Sequence, residues 1–370
     1  MIYLDNGATS FHKPPQVKQA VLRAMERCAN PGRGGYRAAM EAARTVYDCR
    51  EAAGQLFQCD PEQVVLTSNC THGLNMAIRT LVKPGDPVVI SGFEHNAVVR
   101  PLHALGAKIT VAGRKLFDWD ETLQQWEEAL KKAPKAAVFT HVSNVFGYIL
   151  PVKELAKLCH RYGVPFVLDA AQSAGSIPID FRSLGAAFAA MPGHKGLLGP
   201  QGTGLLLCGR EPVPLMYGGT GGNSVSKEMP HQLPDRAEAG TANVPGAAGL
   251  AAGLHYLQQN GIELIGKREK MQADLCACEL EKMGVQVFTG DHRSGTVSFL
   301  TKKDCEEAAL AFAGQGIALR AGLHCAPLAH ESAGTLETGT LRISFGHDAN
   351  GQHSRRFIRI AKTLKIRGEI

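Results

Sequence analysis

Between Val64 and Cys208, short runs of consecutive apolar residues alternate with longer stretches whose apolar positions recur every three or four residues. The short β-branched runs predict strands buried on both faces. The longer spacing predicts helices with one apolar side. Strands are expected at 64–68 (VVLTS), 87–91 (PVVIS), 108–112 (KITVA), 136–142 (AAVFTHV), 165–170 (PFVLDA), 186–191 (AAFAAM) and 203–208 (TGLLLC). Helices are expected between them, around 72–82, near 97–105, over 120–132 and over 151–163. Such alternation implies a mainly parallel, seven-stranded-type sheet covered by helices, an α/β architecture.

The texture changes after Val244. A long helical stretch leads to three further strands, GVQVF, GTVSFL and TLRISF, with helices between. This reads as a smaller α+β domain. The expected division is a large domain over 15–245 and a small one made of 1–14 and 246–370. The Gly-rich, polar stretch 217–243 reads as an active-site loop rather than a linker.

The chain has 370 residues, 44% of them hydrophobic and 20% charged, which excludes intrinsic disorder. No apolar run approaches the roughly 18 residues of a membrane span. Asp5 stands where a secretory leader would be apolar, so a cytoplasmic protein is expected. The net charge of +6 is scattered apart from RRFIRIAKTLKIR at 355–367. Without interleaved aromatics, that segment reads as a final amphipathic helix with a solvated basic face, and no nucleic-acid partner is expected. The ten cysteines show no zinc spacing, so free thiols and no metal are expected.

Ligands of a parallel sheet bind beyond the carboxyl ends of its strands. Polar residues gather at those ends: Thr67–Thr71, Glu94–Asn96, His141–Asn144, Asp169–Gln172 and His194-Lys195. Taken singly, Lys195 would be a surface lysine and Asp169 a helix N-cap. As a pair on successive strand ends they match pyridoxal 5'-phosphate (PLP) chemistry. The lysine bonds to the cofactor aldehyde, and the carboxylate keeps the pyridine nitrogen protonated. Cys70-Thr71-His72 falls at a strand-to-helix junction, where amides and a hydroxyl suit a phosphate.

The motifs TSNCTHGLN, EHNAV, SNVFG, LDAAQSAG, GHKGLLGPQGTG, EAGTAN and RAGLHCA occur in that order, preceded by Tyr3-Leu4-Asp5-Asn6 and Lys13-Pro14. Together they resemble the class V aminotransferase family of fold type I, and within it the second group of cysteine desulfurases and the selenocysteine lyases. The resemblance implies that Lys195, Cys325 and His95 are catalytic. It implies that His95 stacks on the cofactor ring and serves in proton transfer. Cys70, Thr71, Asn144, Asp169, Gln172 and His194 would contact the cofactor, with Asn144 also on the substrate side.

Thr241 would reach the phosphate of the partner subunit in a homodimer with composite sites. Arg342 would clamp the substrate carboxylate through a bidentate pair, with Arg320 a second candidate. Cys325 would take sulfur from L-cysteine as a persulfide for an acceptor protein, releasing alanine, and His324 beside it would favour the thiolate. Three readings stay open beside desulfuration: a selenocysteine lyase, a different class V reaction in which Cys325 is incidental, and a non-catalytic sensor or scaffold. Departures from the family pattern are Pro192, where relatives often have a phosphate-binding hydroxyl, Cys70, His72, and Leu323 in place of a frequent His.

Overall fold

A computed structural model describes residues 1–32, 34–222 and 224–370. The chain opens with a short strand, β1 (Ile2–Tyr3), and two helices, α1 (Pro15–Arg27) and α2 (Arg37–Phe57). The alternation then runs as β2 (Val64–Thr67), α3 (Cys70–Leu81), β3 (Pro87–Ser91), α4 (Asn96–Ala104), β4 (Lys108–Ala112) and α5 (Trp119–Leu130). It continues through β5 (Ala136–Thr140), α6 (Val152–Arg161), β6 (Phe166–Asp169), the single turn α7 (Phe181–Leu184), β7 (Phe188–Pro192) and β8 (Gly204–Cys208). Strands β2 to β8 form one sheet in the order β2-β8-β7-β6-β5-β3-β4. All neighbours are parallel except β8, which runs antiparallel to both β2 and β7.

Alternate residues of each strand serve opposite faces of the sheet. Val89, Phe139, Leu168, Met191 and Leu205 join the core on one face, packed against Trp126, Leu155 and Leu250. Ile90, Val138, Val167, Ala190 and Leu206 join the core on the other, packed against Leu74, Ile78 and Val98. The central strands β5, β7 and β8 are buried at every position, as a two-sided cover requires. The edge strand β4 alternates toward solvent. Each fully buried Leu, Ile or Phe adds about 1.5–3 kcal/mol, so these two layers fix the strand ends firmly.

Helices α8 (Val244–Asn260) and α9 (Ile262–Lys282) lead into β9 (Gln286–Phe288), β10 (Thr296–Leu300), α10 (Cys305–Gly314), β11 (Ile317–Ala318), β12 (Arg320–Gly322), α11 (Pro327–Ala333), β13 (Thr340–Ser344) and α12 (Gly351–Ile366). A four-stranded antiparallel sheet, β12-β13-β10-β9, carries the second core with α10 and α12. Strand β1 pairs in parallel with β11, so the first residues do lie beside this sheet.

The packing changes later than residue 246. Leu250, Leu254 and Leu257 of α8, and Ile265 of α9, belong to the large-domain core, and α8 lies against α1 and α2. The small-domain core starts only at Ala273, within α9. The sequence masks this because α8 is apolar almost all round and so carries no directional signal. Among the described residues no helix is long and apolar enough to cross a membrane.

Candidate active site

The strand ends converge on a cavity of about 520 Å³. Cys70, Thr71, His95 and Asn144 line it from the loops after β2, β3 and β5. Asp169, Gln172, His194 and Lys195 line it from the loops after β6 and β7. Eight residues expected from the sequence therefore share one cavity, beyond the carboxyl ends of the parallel strands.

Asp169 ends β6 and is buried. One of its oxygens accepts from Ala171 N at 2.9 Å and from the Cys70 thiol at 3.6 Å. Among the described residues its other oxygen has no protein donor. Burial raises the carboxyl's pKa, and the Ala171 amide and the Lys195 ammonium oppose the rise. A cationic ring nitrogen against the second oxygen would relieve that penalty. Lys195 is held at the far wall. Burial lowers its pKa, with Cys70 and Asp169 opposing, so a neutral, nucleophilic amine is within easier reach than for a surface lysine.

His95 caps the start of α4. Its Nδ1 accepts from Ala97 N at 3.0 Å, which leaves the proton on Nε2. Burial, then the charges of Lys195 and Arg320, push its pKa down to about 4, so the ring is neutral. At the first turn of α3, the Asn69 side chain accepts from His72 N, while the amides of Cys70 and Thr71 have no partner within the helix. Those amides, the Thr71 hydroxyl and the N-terminal end of the helix dipole suit a phosphate. Pro192 ends β7 and offers no hydroxyl there. Ring-nitrogen partner, phosphate cradle and reactive amine are all present, so the residues fit PLP.

Four expected residues do not line this cavity. Cys325 is exposed on the small domain. Its loop docks on the cavity rim: Asn96 N donates to Cys325 O at 2.8 Å, and Asn144 Nδ2 donates to His324 O at 2.8 Å. His324 and Cys325 both have φ near +50° (49° and 57°), a left-handed turn that side chains usually avoid. His324, expected to favour the thiolate or pass a proton, carries no charge beside the thiol. Its ring is buried, with Nε2 3.2 Å from the carbonyl and hydroxyl oxygens of Thr340. Burial, then the Arg342 charge, push its pKa to about 2. It anchors the loop and remains neutral.

Arg342, expected to be the carboxylate clamp, is 1% exposed, with two of its nitrogens engaged and its Nε without a partner among the described residues. Its Nη2 donates to Asp5 Oδ1 at 2.6 Å and its Nη1 to Asn144 O at 2.8 Å. Arg320 lies directly opposite it across the β12–β13 pair and has no ion-pair partner among the described residues. Two like charges in register repel, a cost that an anion between them removes. Thr241 is exposed and lines a different cavity, of about 830 Å³, with Leu66, His72 and Met216. Among the described residues of 217–243, the stretch read as an active-site loop, none borders the Lys195 cavity of its own chain.

Gln172 donates through Nε2 to Gly7 O at 3.0 Å, a partner from the N-terminal segment that spacing could not supply. Sequence reading also missed Asp5 as the partner of Arg342, and Glu94. The Glu94 carboxyl is fully buried under the site, and one of its oxygens accepts from the Ser91 hydroxyl and from Thr140 N at 2.8 Å. The acidic residue next to His95 was the available signal.

Comparisons with known proteins show the family and the fold. The family model for aminotransferase class-V matches residues 2–353. A probable cysteine desulfurase of Methanothermobacter thermautotrophicus is 33% identical over 93% of this chain and 89% of its own. The cysteine desulfurase of Haloferax volcanii is 31% identical over 93% of this chain and 85% of its own. Among solved structures, the apo cysteine desulfurase of Thermococcus onnurineus superposes with a TM-score of 0.90 at 29% identity, covering 99% of this chain and 94% of that one. The Escherichia coli cysteine desulfurase CsdA gives 0.85 at 27% identity, with the same two coverages. In sequence and in fold, the chain belongs to the aminotransferase class-V family.

Proposed function

We propose that the protein is a PLP-dependent cysteine desulfurase that converts L-cysteine to L-alanine and receives the sulfur on Cys325. One observation carries this reading. The Cys325 loop is pinned, through Asn96 and Asn144, to the rim of the cavity that holds Asp169 and Lys195. The balance is simple: the Cys325 thiol and L-cysteine give a Cys325 persulfide and L-alanine, and no external redox agent is needed.

When bound, PLP supplies an electron sink for charge developing at the substrate α-carbon. Asp169 would pair with the ring nitrogen and hold its proton. The Cys70 and Thr71 amides would take the phosphate. His194, its Nδ1 3.0 Å from Thr9 Oγ1, would stand beside the same group. Lys195, its pKa lowered, would carry the α-proton, and His95 would present Nε2–H at the rim. Arg320 would receive the substrate carboxylate, with Arg342 held behind it by Asp5. Cys325, exposed and free of competing contacts, would reach inward for sulfur and outward for an acceptor protein.

Thr241 would serve the phosphate of a second subunit. Its position outside its own cavity and the exposed Met25, Tyr36, Met40, Tyr47 and Tyr217 support a homodimer. The ten cysteines are all free thiols, as suits a reducing cytoplasm.

Alanine release from L-cysteine and from L-selenocysteine, measured for wild type and Cys325→Ala with a reductant present, tests the reading. We expect alanine from cysteine, lost in the variant, with selenocysteine turnover retained. Alanine from selenocysteine alone would make this a selenocysteine lyase. Alanine from neither would assign a different class V reaction.

A further inference from the structure

We infer that Lys13, acting with Thr9 and Ser10, is a positioning residue for Lys195, holding the peptide that carries it from the side opposite the domain core. The inference rests on the reading of Lys195 as the reactive lysine.

The His194 carbonyl, one bond from the Lys195 nitrogen, is the focus of this segment. Lys13 Nζ donates to it at 2.9 Å and Ser10 N at 3.1 Å. Ser10 Oγ accepts from Lys13 Nζ at 2.5 Å and stands 3.0 Å from both His194 O and Lys195 O. Thr9 Oγ1 lies 3.1 Å from the same His194 carbonyl and 3.0 Å from His194 Nδ1. A carbonyl has two lone pairs, so this convergence exceeds what satisfying the acceptor requires.

The other side of the peptide is closed by packing. A Cβ on Gly196 would stand 2.2 Å from Ala174 O, and one on Gly175 would stand 2.1 Å from Gly196 O. The 195–196 backbone therefore cannot retreat toward the core. On the side of residues 9–13, Lys13 and Ser10 restrain it. Lys13 is itself fixed by its two C-terminal neighbours. Pro14 and Pro15 form the cap and first turn of α1, and a residue before proline is confined to extended backbone.

The charge is what packing alone does not explain. Lys13 is half-buried and has no carboxylate partner among the described residues; its two acceptors are neutral. Burial pulls its pKa down to about 8. A methionine would fill the same space without that desolvation penalty. An ammonium makes stronger hydrogen bonds than a neutral donor, and it offers three protons to a hydroxyl and a carbonyl together. A residue retained at an electrostatic cost beside a reactive group is a functional candidate.

The test compares K13M, S10A and K13R with wild type, with K18M at an exposed position as the control. Three quantities are read: deuterium uptake by the 193–199 peptide in cofactor-free protein, the visible absorption of PLP-loaded protein, and kcat and KM for alanine release from L-cysteine. We expect K13M and S10A to raise uptake in 193–199 while 205–207 stays protected. Both should shift the visible band and lower kcat about ten- to a hundredfold, the scale of a small misplacement at a reacting centre, with KM held within about twofold. K13R should recover most of the kcat. Unchanged uptake and kcat in K13M and S10A would overturn the inference, as would uptake rising over the whole chain with kcat and KM falling together. Persistence of the visible band in Lys195→Ala would overturn the reading of Lys195 itself, a result separate from the uptake comparison.

Discussion

The two walls of the site are built differently. The large-domain wall is a finished, rigid apparatus. Asp169 and the Lys195 loop stand on strands buried on both faces, and their polar atoms are fixed by neighbours from several elements. The small-domain wall is a left-handed turn carrying an exposed thiol, held by two rim hydrogen bonds and one buried imidazole. Cofactor chemistry needs preorganisation in a dry cavity. Sulfur delivery needs a nucleophile that meets substrate on one side and an acceptor on the other. On the proposed reading, one fold divides the two requirements between its two walls.

The largest effect should come from the rigid wall. Lys195→Ala removes the group that carries the α-proton, so alanine release should fall by at least about 10²–10⁴-fold for cysteine and selenocysteine alike, with loss of the visible absorption of bound PLP. Turnover that survives with either substrate would dissociate Lys195 from the chemistry. On the exposed wall, Cys325→Ala should abolish cysteine turnover only. Its unfolding free energy should stay within about 0.5 kcal/mol of wild type, since the residue is exposed. A large stability loss would mean the turn is structural, and the contrast between the walls would fail.

The two arginines sharpen the comparison next. Arg320→Ala removes an unpaired guanidinium, so KM for cysteine should rise roughly 10–100-fold, the equivalent of one charged hydrogen-bonded contact, with little change in stability. Arg342→Ala leaves half-buried Asp5 and the Asn144 carbonyl without their donors, so it should also cost about 1–3 kcal/mol on denaturant unfolding. If Arg320→Ala left KM unchanged while Arg342→Ala raised it without a stability loss, the clamp would belong to Arg342 after all.

The rigid wall was also the legible one. The short apolar runs located every strand of the seven-stranded sheet, PVVIS and KITVA to the residue; in the inner strands two-sided burial leaves an unbroken apolar signature, while the edge strand KITVA keeps an alternating one. The polar residues just beyond those runs were then the site residues of the cavity. Illegible features came from contacts distant in sequence. Asp5 meets Arg342 only because β1 pairs with β11 and the next residues lie along β13. Leu250 joins the large core only because α8 folds back on α1 and α2. The neutrality of His324 depends on burial against Thr340, which adjacency to Cys325 does not reveal.

The smallest expected effect tests burial on both walls at once. Burial pulls His95, His141 and His194 of the large domain down to about 4, as it does His330 beside the Cys325 loop, and His324 to about 2. Unfolded imidazoles titrate near 6.5, so below that pH the unfolded chain binds more protons and stability falls as pH falls toward 4. Glu94 and Glu269, pushed up to about 8 by burial, act in the opposite sense. The native chain holds their protons between about 4.5 and 8, so their contribution declines as pH rises through that window. The five histidines outnumber the two carboxyls below 6.5; above it the carboxyls dominate until about 8, where Lys13, pulled down to about 8 by burial, begins to oppose them. Unfolding free energy, measured by urea titration from pH 4.5 to 8.5, should therefore peak near neutrality and fall more steeply on the acid side. His141→Asn and His324→Asn should each reduce the acid slope by about 1.4 kcal/mol per pH unit, one proton's worth. Reduction in His141→Asn alone would show that the small-domain imidazole is open to solvent and that the exposed wall is mobile beyond its thiol. Acid slopes parallel to wild type in both variants would mean that neither ring is held neutral by burial.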